Sequence, residues 1–275
     1  MSERSDVTMT AKPLSLWIDG IGILAPGLEN WPAAAAVLRG EQPYAAAPTV
    51  LPAPSILPPA ERRRASRVVK LTLALGLEAV AQGEANAADL TSVFAAATAD
   101  GHNCAAICDA LAAEDRAVSP TRFHNSVHNT AAGYWDIATG SMRPTQVLTA
   151  YDGSFSAGLL EAAAELPWAN SPVLLVAYDT EYPEPMRSFH TIPDAGGIAL
   201  LLSAERGPRS LAKLDVSFQP GTATALKQPD LESLRHAIPA LLGLPLLDLI
   251  ARGAAGSVDL EYLAPQVLRV EVTPC

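Results

Sequence analysis

Residues 149–162, TAYDGSFSAGLLEA, predict a β-strand that turns sharply into an α-helix. The run Thr145–Ala150 leading into the turn is β-prone, and small residues followed by leucines open the helix. N–H groups at the start of a helix lack partners within the helix and stabilise nearby negative charge. Enzymes therefore display catalytic nucleophiles at such elbows. Here the apex is Tyr151, followed by Asp152 and Gly153.

The elbow offers no evident nucleophile. Ser154–Gly158 reads SFSAG, close to the hydrolase pattern G-x-S-x-G, but Ser154 stands where the first glycine normally permits the tight turn. We expect Ser154 to cap the helix instead. Tyr151 is poorly suited to attack because a phenol has an unperturbed pKa of about 10.

Composition indicates a globular chain with a large core. Of 275 residues, 49% are apolar and 17% are charged, enough for one domain or two closely packed halves. The net charge of −10 argues against nucleic acid, whose phosphates need basic partners. We interpret the one basic cluster, Arg62–Arg64 with Arg67 and Lys70, as a solvated helix face. The alternative is that this cluster binds an acidic acyl carrier or its phosphopantetheine arm.

Targeting signals are not evident. No apolar run reaches the roughly 18 residues that a membrane span requires. The polar start Met1–Lys12 contains no apolar signal core. Three cysteines, one of them C-terminal, do not make a disulfide framework. We therefore expect a protein of the reducing cytoplasm.

Two patterns that would indicate a bound group are incomplete. Cys104 and Cys108 lie one helical turn apart beside His102, but no second pair of ligands follows at a useful spacing. We interpret both as buried structural thiols. The run Gly20-x-Gly22-x-x-Ala25 lacks the helix start that a dinucleotide fingerprint requires. We expect no metal and no cofactor.

Strands and helices alternate along the chain, which predicts an α/β protein with helices on both faces of a sheet. The predicted strands are Leu14–Leu24, Ser92–Thr98, Thr145–Ala150, Pro172–Tyr178, Gly196–Ser203, Lys213–Phe218, Ser257–Leu263 and Val267–Val272. The predicted helices are Trp31–Arg39, Glu61–Gln82, His102–Glu114, Asn125 or Ser126 to Thr139, the elbow helix, and Asp230–Arg252 interrupted at Gly243–Pro245. Prolines make Gly40–Ala60 an extended surface loop.

The stretch RFHNSVHNTAAGYW, residues 122–135, gathers polar rings and amides at a predicted helix start. His124, His128 and Asn129 lie close in sequence to Tyr134 and Trp135. Such groups serve acid–base chemistry or line a pocket. They serve equally well to cap the helix and hold a buried turn. The residues of this stretch leave both interpretations open.

Taken in order, four stretches resemble the β-ketoacyl synthases, the condensing enzymes of the thiolase fold. Residues 17–44, WIDGIGILAPGLENWPAAAAVLRGEQPY, resemble the family's opening strand VTGxGxVTPxG and the helix after it. Residues 92–101, SVFAAATADG, are similar to the strand and glycine turn before the dimer helix. Residues 119–162 resemble the block SP…N…AG…I…GP…TAC(A/S)S…A…A. Residues 194–205, DAGGIALLLSAE, resemble the strand that closes the N-terminal half.

The resemblance implies a thiolase-like architecture of layers αβαβα, with a largely complete N-terminal half and a shortened C-terminal half. Residues 1–13 are then a flexible N-terminus. Residues 14–205 form a ketosynthase N-terminal-like domain. Residues 206–275 form a shortened C-terminal remnant packed on the same core.

The catalytic residues that the resemblance predicts are missing. In active condensing enzymes the residue after Thr-Ala at the elbow is the nucleophilic cysteine, and here it is Tyr151. Residues 220–235, PGTATALKQPDLESLR, resemble HGTxTPxxDxxEaxal with Pro220 in place of the first catalytic histidine. No stretch resembles the glycine-rich segment that carries the second histidine. We therefore expect no independent condensing activity.

Inactive relatives of this kind are chain-length factors, which pair with an active β-ketoacyl-ACP synthase. The short chain and the FHNSVHN…AAGYW stretch resemble the partner subunits of aryl polyene and xanthomonadin-type pathways. The resemblance implies a heterodimer. The net charge of −10 disfavours direct docking of an acidic carrier, so we expect the acyl carrier protein to meet the partner rather than this chain. Candidates to line the acyl tunnel or the interface are Phe123, His124, His128, Asn129, Tyr134, Trp135, Tyr151, Asp152 and Ser154.

Two alternatives to this function stay open. In one, Ser154 or Ser156 acts with His124 or His128 as a hydrolase or transferase on an acyl thioester. In the other, the chain binds an acyl group, a polyene or an acyl carrier by itself, without a ketosynthase partner.

Overall fold

The computed structural model describes residues 12–97 and 100–275. Residues 1–11, most of the segment predicted to be a flexible N-terminus, lie outside the described residues. So does Thr98, the predicted end of the second strand. The loop predicted for Gly40–Ala60 is without regular structure from Gln42 to Pro58, where its prolines deny the backbone the donors that a helix or sheet requires.

The described residues contain eight strands that join in one mixed sheet. The strands are β1 (Leu14–Leu24), β2 (Thr91–Ala95), β3 (Thr145–Leu148), β4 (Val173–Asp179), β5 (Gly196–Ser203), β6 (Ala212–Pro220), β7 (Gly256–Glu261) and β8 (Gln266–Pro274). Their order across the sheet is β3-β2-β4-β5-β1-β6-β8-β7. β2 is parallel to both β3 and β4, whereas the other neighbouring pairs of this sheet are antiparallel. β3 and β7 lie at its two edges.

Helices cover both faces of the sheet, as the alternation of elements predicts. The helices of the described residues are α1 (Trp31–Arg39), α2 (Pro59–Arg64), α3 (Arg67–Gln82), α4 (Gly101–Ala112), α5 (Pro120–His124), α6 (Thr130–Thr139), α7 (Ser154–Ala169), α8 (Pro229–Ala237) and α9 (Leu244–Ala251). Along β4, Val173 and Leu175 enter a core with α1, α7, α8 and α9, while Leu174 and Val176 enter a second core with α3 and α6. This alternation confirms the α/β class.

The layers of the described residues number three: helices, this one sheet, and helices again. The resemblance predicts five layers, αβαβα. The difference arises in the C-terminal part, where β6, β8 and β7 continue the sheet beyond β1. A shortened C-terminal half therefore adds its strands to the edge of the N-terminal sheet in this part of the chain.

The long helix predicted for Glu61–Gln82 is wrong, because the structure divides it into α2 and α3. Ala65 between them is extended, with φ −62° and ψ 117°. Ser66 is the N-cap of α3, and its side chain accepts a hydrogen bond from the Val69 N–H at 3.5 Å. A serine that caps one helix must leave the helical conformation, so it separates α3 from the helix before it.

The two other long predicted helices are also divided. The helix predicted to end at Thr139 begins only at Thr130, because α5, with Pro120 in its first turn, and a separate turn precede it. The helix predicted for Asp230–Arg252 breaks at Pro239 as well as at the expected Gly243. Ile238 is extended there, with φ −130° and ψ 107°, because the ring of a following proline excludes the helical conformation.

A buried ion pair joins α8 to the end of β7. Arg235 is fully buried. Its guanidinium donates through Nε to Glu232 Oε2 at 2.9 Å and through a terminal nitrogen to Glu232 Oε1 at 2.8 Å. A second terminal nitrogen donates to Glu261. The hydrogen bonds from Arg235 lower the pKa of Glu232 from 4.5 to about 2.

Acid is expected to weaken the fold through Glu232. A carboxylate whose pKa is lowered in the folded state stabilises that state fully above its unfolded pKa of 4.5. This stabilisation is lost as the pH falls from 4.5 toward about 2. Urea unfolding of the wild type and of Glu232→Gln at a series of pH values checks the prediction. The variant should lose less stability on acidification, and an identical pH dependence of the two proteins would contradict it.

Candidate functional site

The elbow joins β3 to α7 through a turn held by its own hydrogen bonds. The backbone N–H of Gly153 donates to the Ala150 carbonyl at 3.1 Å, and that of Ser154 donates to the Tyr151 carbonyl at 3.1 Å. Tyr151 has a φ of +52°, in the left-handed region that non-glycine residues seldom adopt. The strand-to-helix elbow is therefore present, and Tyr151 stands at its apex.

Ser154 holds the turn together and does not cap α7. Its Oγ donates to the Tyr151 carbonyl at 2.6 Å and accepts from the Ala150 N–H at 2.9 Å. Gly153 occupies the N-cap position, and Ser154 is the first helical residue. The capping prediction is wrong because the hydroxyl bonds to the turn before the helix, not to the free N–H groups of the first helical turn.

Neither serine of the elbow is arranged as a nucleophile. The hydrogen bonds of Ser154 Oγ are to backbone groups of the turn. Ser156 is fully buried, and its Oγ makes no hydrogen bond within residues 12–97 and 100–275. A serine nucleophile needs a base within hydrogen-bond reach. The structure gives neither serine such a base in His124 or His128.

Tyr151 instead bonds to a histidine that the sequence does not single out. The phenol oxygen lies 3.1 Å from Nδ1 of His190, and the two rings meet edge to face with centroids 5.2 Å apart. Nε2 of His190 lies 3.8 Å from Oδ1 of Asp152. His190 comes from the loop between β4 and β5, 39 residues beyond Tyr151. The predicted residues Tyr151 and Asp152 therefore form one group with His190.

This group fixes a phenol where the resemblance places a thiol. Tyr151 is 62% exposed, so its position depends on the hydrogen bond and ring contact with His190 more than on packing. A phenol held by an imidazole donates or accepts a hydrogen bond at neutral pH. It does not supply the thiolate on which thioester exchange depends. No sequence signal points to His190, since an isolated histidine in an irregular loop has no periodic pattern.

The aromatic stretch before α6 is divided between core and surface. Tyr134 and Trp135 are buried, and the Tyr134 hydroxyl donates to Asn125 Oδ1 at 3.3 Å. The His124 ring stands edge-on to Tyr134, with centroids 6.4 Å apart. Phe123 is 70% exposed. For Tyr134 and Trp135, the structure favours the interpretation in which the stretch holds a buried turn over the one in which it lines a pocket.

Three polar side chains of this stretch lie at the surface. His124, His128 and Asn129 are exposed. Asn129 stands at the N-cap of α6, but its side chain makes no capping hydrogen bond. Capping therefore does not account for the amide of Asn129.

A small cavity of about 190 Å³ lies beside this stretch. Phe123 and His128 line it together with Cys104 and Cys108 of α4. The interpretation of both cysteines as buried structural thiols is wrong, because both are exposed. The reason is that α4 buries only Gly101 and Asn103 of its twelve residues, so no layer of the described residues buries its thiol-bearing face.

The candidate residues thus fall into two groups. Tyr151, Asp152 and Ser154 lie at the elbow, and Phe123 and His128 lie at the cavity. In the described part of the chain, the hydrogen bonds and ring contacts of these residues do not join one group to the other. Pro220 is the last residue of β6 and pairs with Gln266 of β8, so it holds a structural place in the sheet.

Some of the charged side chains in the basic cluster form ion pairs, and others are exposed at the surface. Arg62–Arg64 are exposed, in agreement with a solvated face, while Arg67 also pairs with Glu181 at 2.8 Å and with Asp194 at 2.7 Å. Nε2 of His102 lies 3.4 Å from Glu181. In residues 12–97 and 100–275, no three or more His, Cys, Asp or Glu side chains are placed to hold a metal ion.

The segment from α4 to β3 exposes several large apolar side chains. They are Leu111, Phe123, Val127, Ile137 and Met142. The same segment ends at the edge strand β3, whose outer side has no neighbouring strand in the described residues. We call these five side chains together with β3 the α4–β3 face. Exposed apolar side chains and an open strand edge are each typical of a surface that another chain covers.

None of the described helices is long and apolar enough to cross a membrane.

A family model, β-ketoacyl synthase N-terminal domain, matches residues 31–243. No curated protein sequence matches the chain.

Solved structures share the fold over nearly the whole chain. One is a ketosynthase (ApeO) in complex with its chain length factor (ApeC) from Xenorhabdus doucetiae, with 22% identity and a TM-score of 0.69 over 94% of this chain and 99% of that one. The ishigamide ketosynthase/chain length factor has 15% identity and a TM-score of 0.69, covering 96% and 99%. A type II acyl-carrier protein with its ketosynthase bound to the hexaketide, AntDE:AntF, has 10% identity and a TM-score of 0.72, covering 96% and 100%.

Proposed function

The chain belongs to the β-ketoacyl synthase family, and we propose that it acts there as a chain-length-factor-like subunit that pairs with an active β-ketoacyl-ACP synthase. One observation carries the proposal: the elbow keeps its strand, turn and helix, while its apex is a tyrosine bound to His190. Decarboxylative condensation needs a thiolate to hold the acyl chain. A subunit that lacks this thiolate contributes to the reaction by completing a partner that has it.

The fold shared with the ketosynthase/chain length factor structures supports the proposal. This chain covers almost all of each matched chain. Its length is therefore consistent with that of a subunit in such a complex. The pathway that we propose is the biosynthesis of a polyene of the aryl polyene kind, in the cytoplasm. The acyl carrier protein then meets the partner rather than this chain.

The α4–β3 face is the surface that we assign to the partner. Its strand edge can extend the sheet across an interface, and its apolar side chains supply the core of the contact. The two parts of the chain, residues 14–205 and the shortened remnant 206–275, form a single subunit in this proposal.

Phe123 and His128 are the side chains that we place at the end of the partner's acyl tunnel, because they are exposed on this segment and line its cavity. His124, exposed beside them, is a further candidate. The same role was expected of Tyr134 and Trp135, which pack in the core. If these two residues influence the tunnel, they do so by supporting the shape of its wall and not by contacting the acyl chain.

Phe123→Ala and His128→Ala are expected to give longer products. Each substitution removes volume from the wall that we propose limits the acyl chain, and a close-packed wall tolerates little extra volume. The products of the reconstituted two-subunit enzyme are measured by mass spectrometry. Phe218→Ala, on the far side of the sheet, is the control. Unchanged product length in both variants of this segment would contradict the tunnel assignment.

Binding of an acyl group or polyene without a ketosynthase is the second candidate. Two open cavities of about 750 and 840 Å³ flank Ala47 and Pro48 of the proline-rich loop. Their volumes lie in the range of about 300–1,000 Å³ that small-molecule sites occupy. The serine hydrolase alternative has no comparable support, since Ser154 is committed to the turn and Ser156 is buried.

Co-expression with a cysteine-bearing ketosynthase encoded beside this chain tests the proposal. The complex is purified through a tag on one subunit, its mass is determined, and condensation is assayed with and without this chain. A one-to-one complex that is required for elongation supports the proposed function. If this chain purifies alone and the ketosynthase elongates without it, the proposal fails and the binding-protein alternative takes its place.

A further inference from the structure

Two exposed thiols lie one helical turn apart on α4. Cys104 and Cys108 occupy positions i and i+4, which place their side chains on the same face of a helix. One helical turn separates the two side chains, so their thiols are neighbours on the surface of α4. Both are exposed, and both line the cavity that Phe123 and His128 also border. The proposed function makes no use of this thiol pair.

α4 is fixed at its first turn and is at most half-buried beyond it. Asp100 Oδ1 accepts from the Asn103 N–H at 3.0 Å, and Asn103 Nδ2 donates to the Arg122 carbonyl at 2.9 Å. Gly101 lies against the Tyr182 ring so closely that a Cβ would stand 1.6 Å from the ring. No residue of the helix after Asn103 is buried. The turn that carries the thiols can therefore shift without disturbing a packed core.

We propose that Cys104 and Cys108 form a reversible disulfide within α4, with a small-molecule disulfide such as oxidised glutathione as the oxidant. The Cys108 thiolate attacks the oxidant, forming a mixed disulfide and releasing one glutathione thiolate, which takes up a proton. The Cys104 thiolate then attacks the Cys108 sulfur of the mixed disulfide and releases the second glutathione. Two protein thiols are oxidised and one glutathione disulfide is reduced to two thiols, so electrons and atoms balance.

The order of the two attacks follows from the environment of the thiols. Partial desolvation of the thiol and the neighbouring Cys108 raise the pKa of Cys104, so its thiolate is scarce. A scarce thiolate still reacts in the second step, because the mixed disulfide on Cys108 is held beside it and the attack is intramolecular.

Disulfide formation has a geometric consequence for α4. Side chains at i and i+4 have Cβ atoms about 5–6 Å apart, whereas a disulfide requires about 3.8 Å. The helix must therefore tighten locally in the turn that borders Phe123. If the α4–β3 face is the partner surface, as the proposed function has it, oxidation of the free subunit alters that surface before assembly.

Thiol counting and intact mass on the full-length chain test the disulfide. After equilibration with oxidised glutathione, the wild type should lose two titratable thiols and about 2 Da without an added glutathione. Dithiothreitol should restore both thiols. Cys275→Ser, which removes the third exposed cysteine, should behave like the wild type in the number of thiols lost. Cys108→Ser and Cys104→Ser should each stop at a glutathione adduct or keep a free thiol. A wild type that keeps all its thiols, or that ends as a stable adduct or a dimer linked through Cys275, would overturn the proposal.

A second measurement separates this inference from the proposed function. Oxidised and reduced wild type are compared for binding to the ketosynthase partner, with the Cys104→Ser/Cys108→Ser double variant as a control that oxidation should not affect. We expect at least tenfold weaker binding of the oxidised chain. If the reduced chain fails to bind the ketosynthase, the proposed function fails while the thiol count decides the disulfide independently. Equal binding of the two forms would overturn the effect of oxidation on the partner surface.

Discussion

Replacing Trp135 by alanine is expected to lower the free energy of unfolding by about 3–5 kcal/mol, which is the range for truncating a fully buried tryptophan. Trp135 is 1% exposed and belongs to the core between α3, α6 and the sheet. Its ring fits against Gly76 of α3, where a Cβ would stand 2.6 Å from the indole. The loss of the ring leaves a cavity that the close contact of two helices cannot readily fill. Urea unfolding of the full chain, followed by circular dichroism, measures the effect.

Trp168→Ala is the matched control for this prediction. Trp168 lies near the end of α7 and is 82% exposed, so its removal should change the free energy of unfolding by no more than about 0.5 kcal/mol. Trp135→Phe should fall between the two because it keeps most of the apolar volume. A loss below about 1 kcal/mol for Trp135→Ala would show that the indole is not part of the packed core.

Phe123→Glu is expected to weaken binding of the ketosynthase partner at least 30-fold, or by about 2 kcal/mol or more. Phe123 is an exposed aromatic ring on the α4–β3 face, the surface assigned to the partner under the proposed function. Aromatic side chains of this kind supply much of the energy of protein interfaces. A glutamate in the same place loses that contact and buries an unpaired carboxylate. Titration of the purified ketosynthase with each variant, followed by calorimetry, measures the affinity.

Phe218→Glu serves as the control for this substitution. Phe218 is also partly exposed, but it lies on β6, five strands across the sheet from β3. The same charge at this position should leave the affinity for the partner unchanged. Circular dichroism of both variants establishes that each is folded. Wild-type affinity of a folded Phe123→Glu would exclude this face as the partner surface.

Local patterns predicted the class of the fold and most of its elements. The mainly apolar run of β1 and the buried runs of β4 and β5 could be predicted because a strand buried on both faces admits few polar residues. The elbow could be predicted because its strand, turn and helix are consecutive in the chain. Its apex, Tyr151, is accordingly the part of the candidate site that the sequence located.

Helix breaks were harder to predict than helices. The apolar residues of α3 and the arginines of α2 suit one continuous helix by composition. The break at Ala65 depends on Ser66 as a cap and on Asn125, whose Nδ2 donates to the Arg64 carbonyl at 3.0 Å from 61 residues away. A backbone carbonyl that has such a distant partner need not accept a hydrogen bond from its own helix. The sequence around Ala65 gives no sign of the contact between Asn125 and the Arg64 carbonyl.

The order of strands and helices, the elbow and the tyrosine at its apex could all be predicted from the sequence, since each depends on neighbouring residues and their chemistry. Which side chains contact each other follows from the tertiary structure alone. His190 contacts Tyr151 although 39 residues separate them in sequence, and the Trp135 ring packs against Gly76. Cys104 and Cys108 are exposed because no other described element covers their face of α4. Burial and contact depend on the packing of distant elements, whereas periodicity within one element reports only which of its faces is apolar.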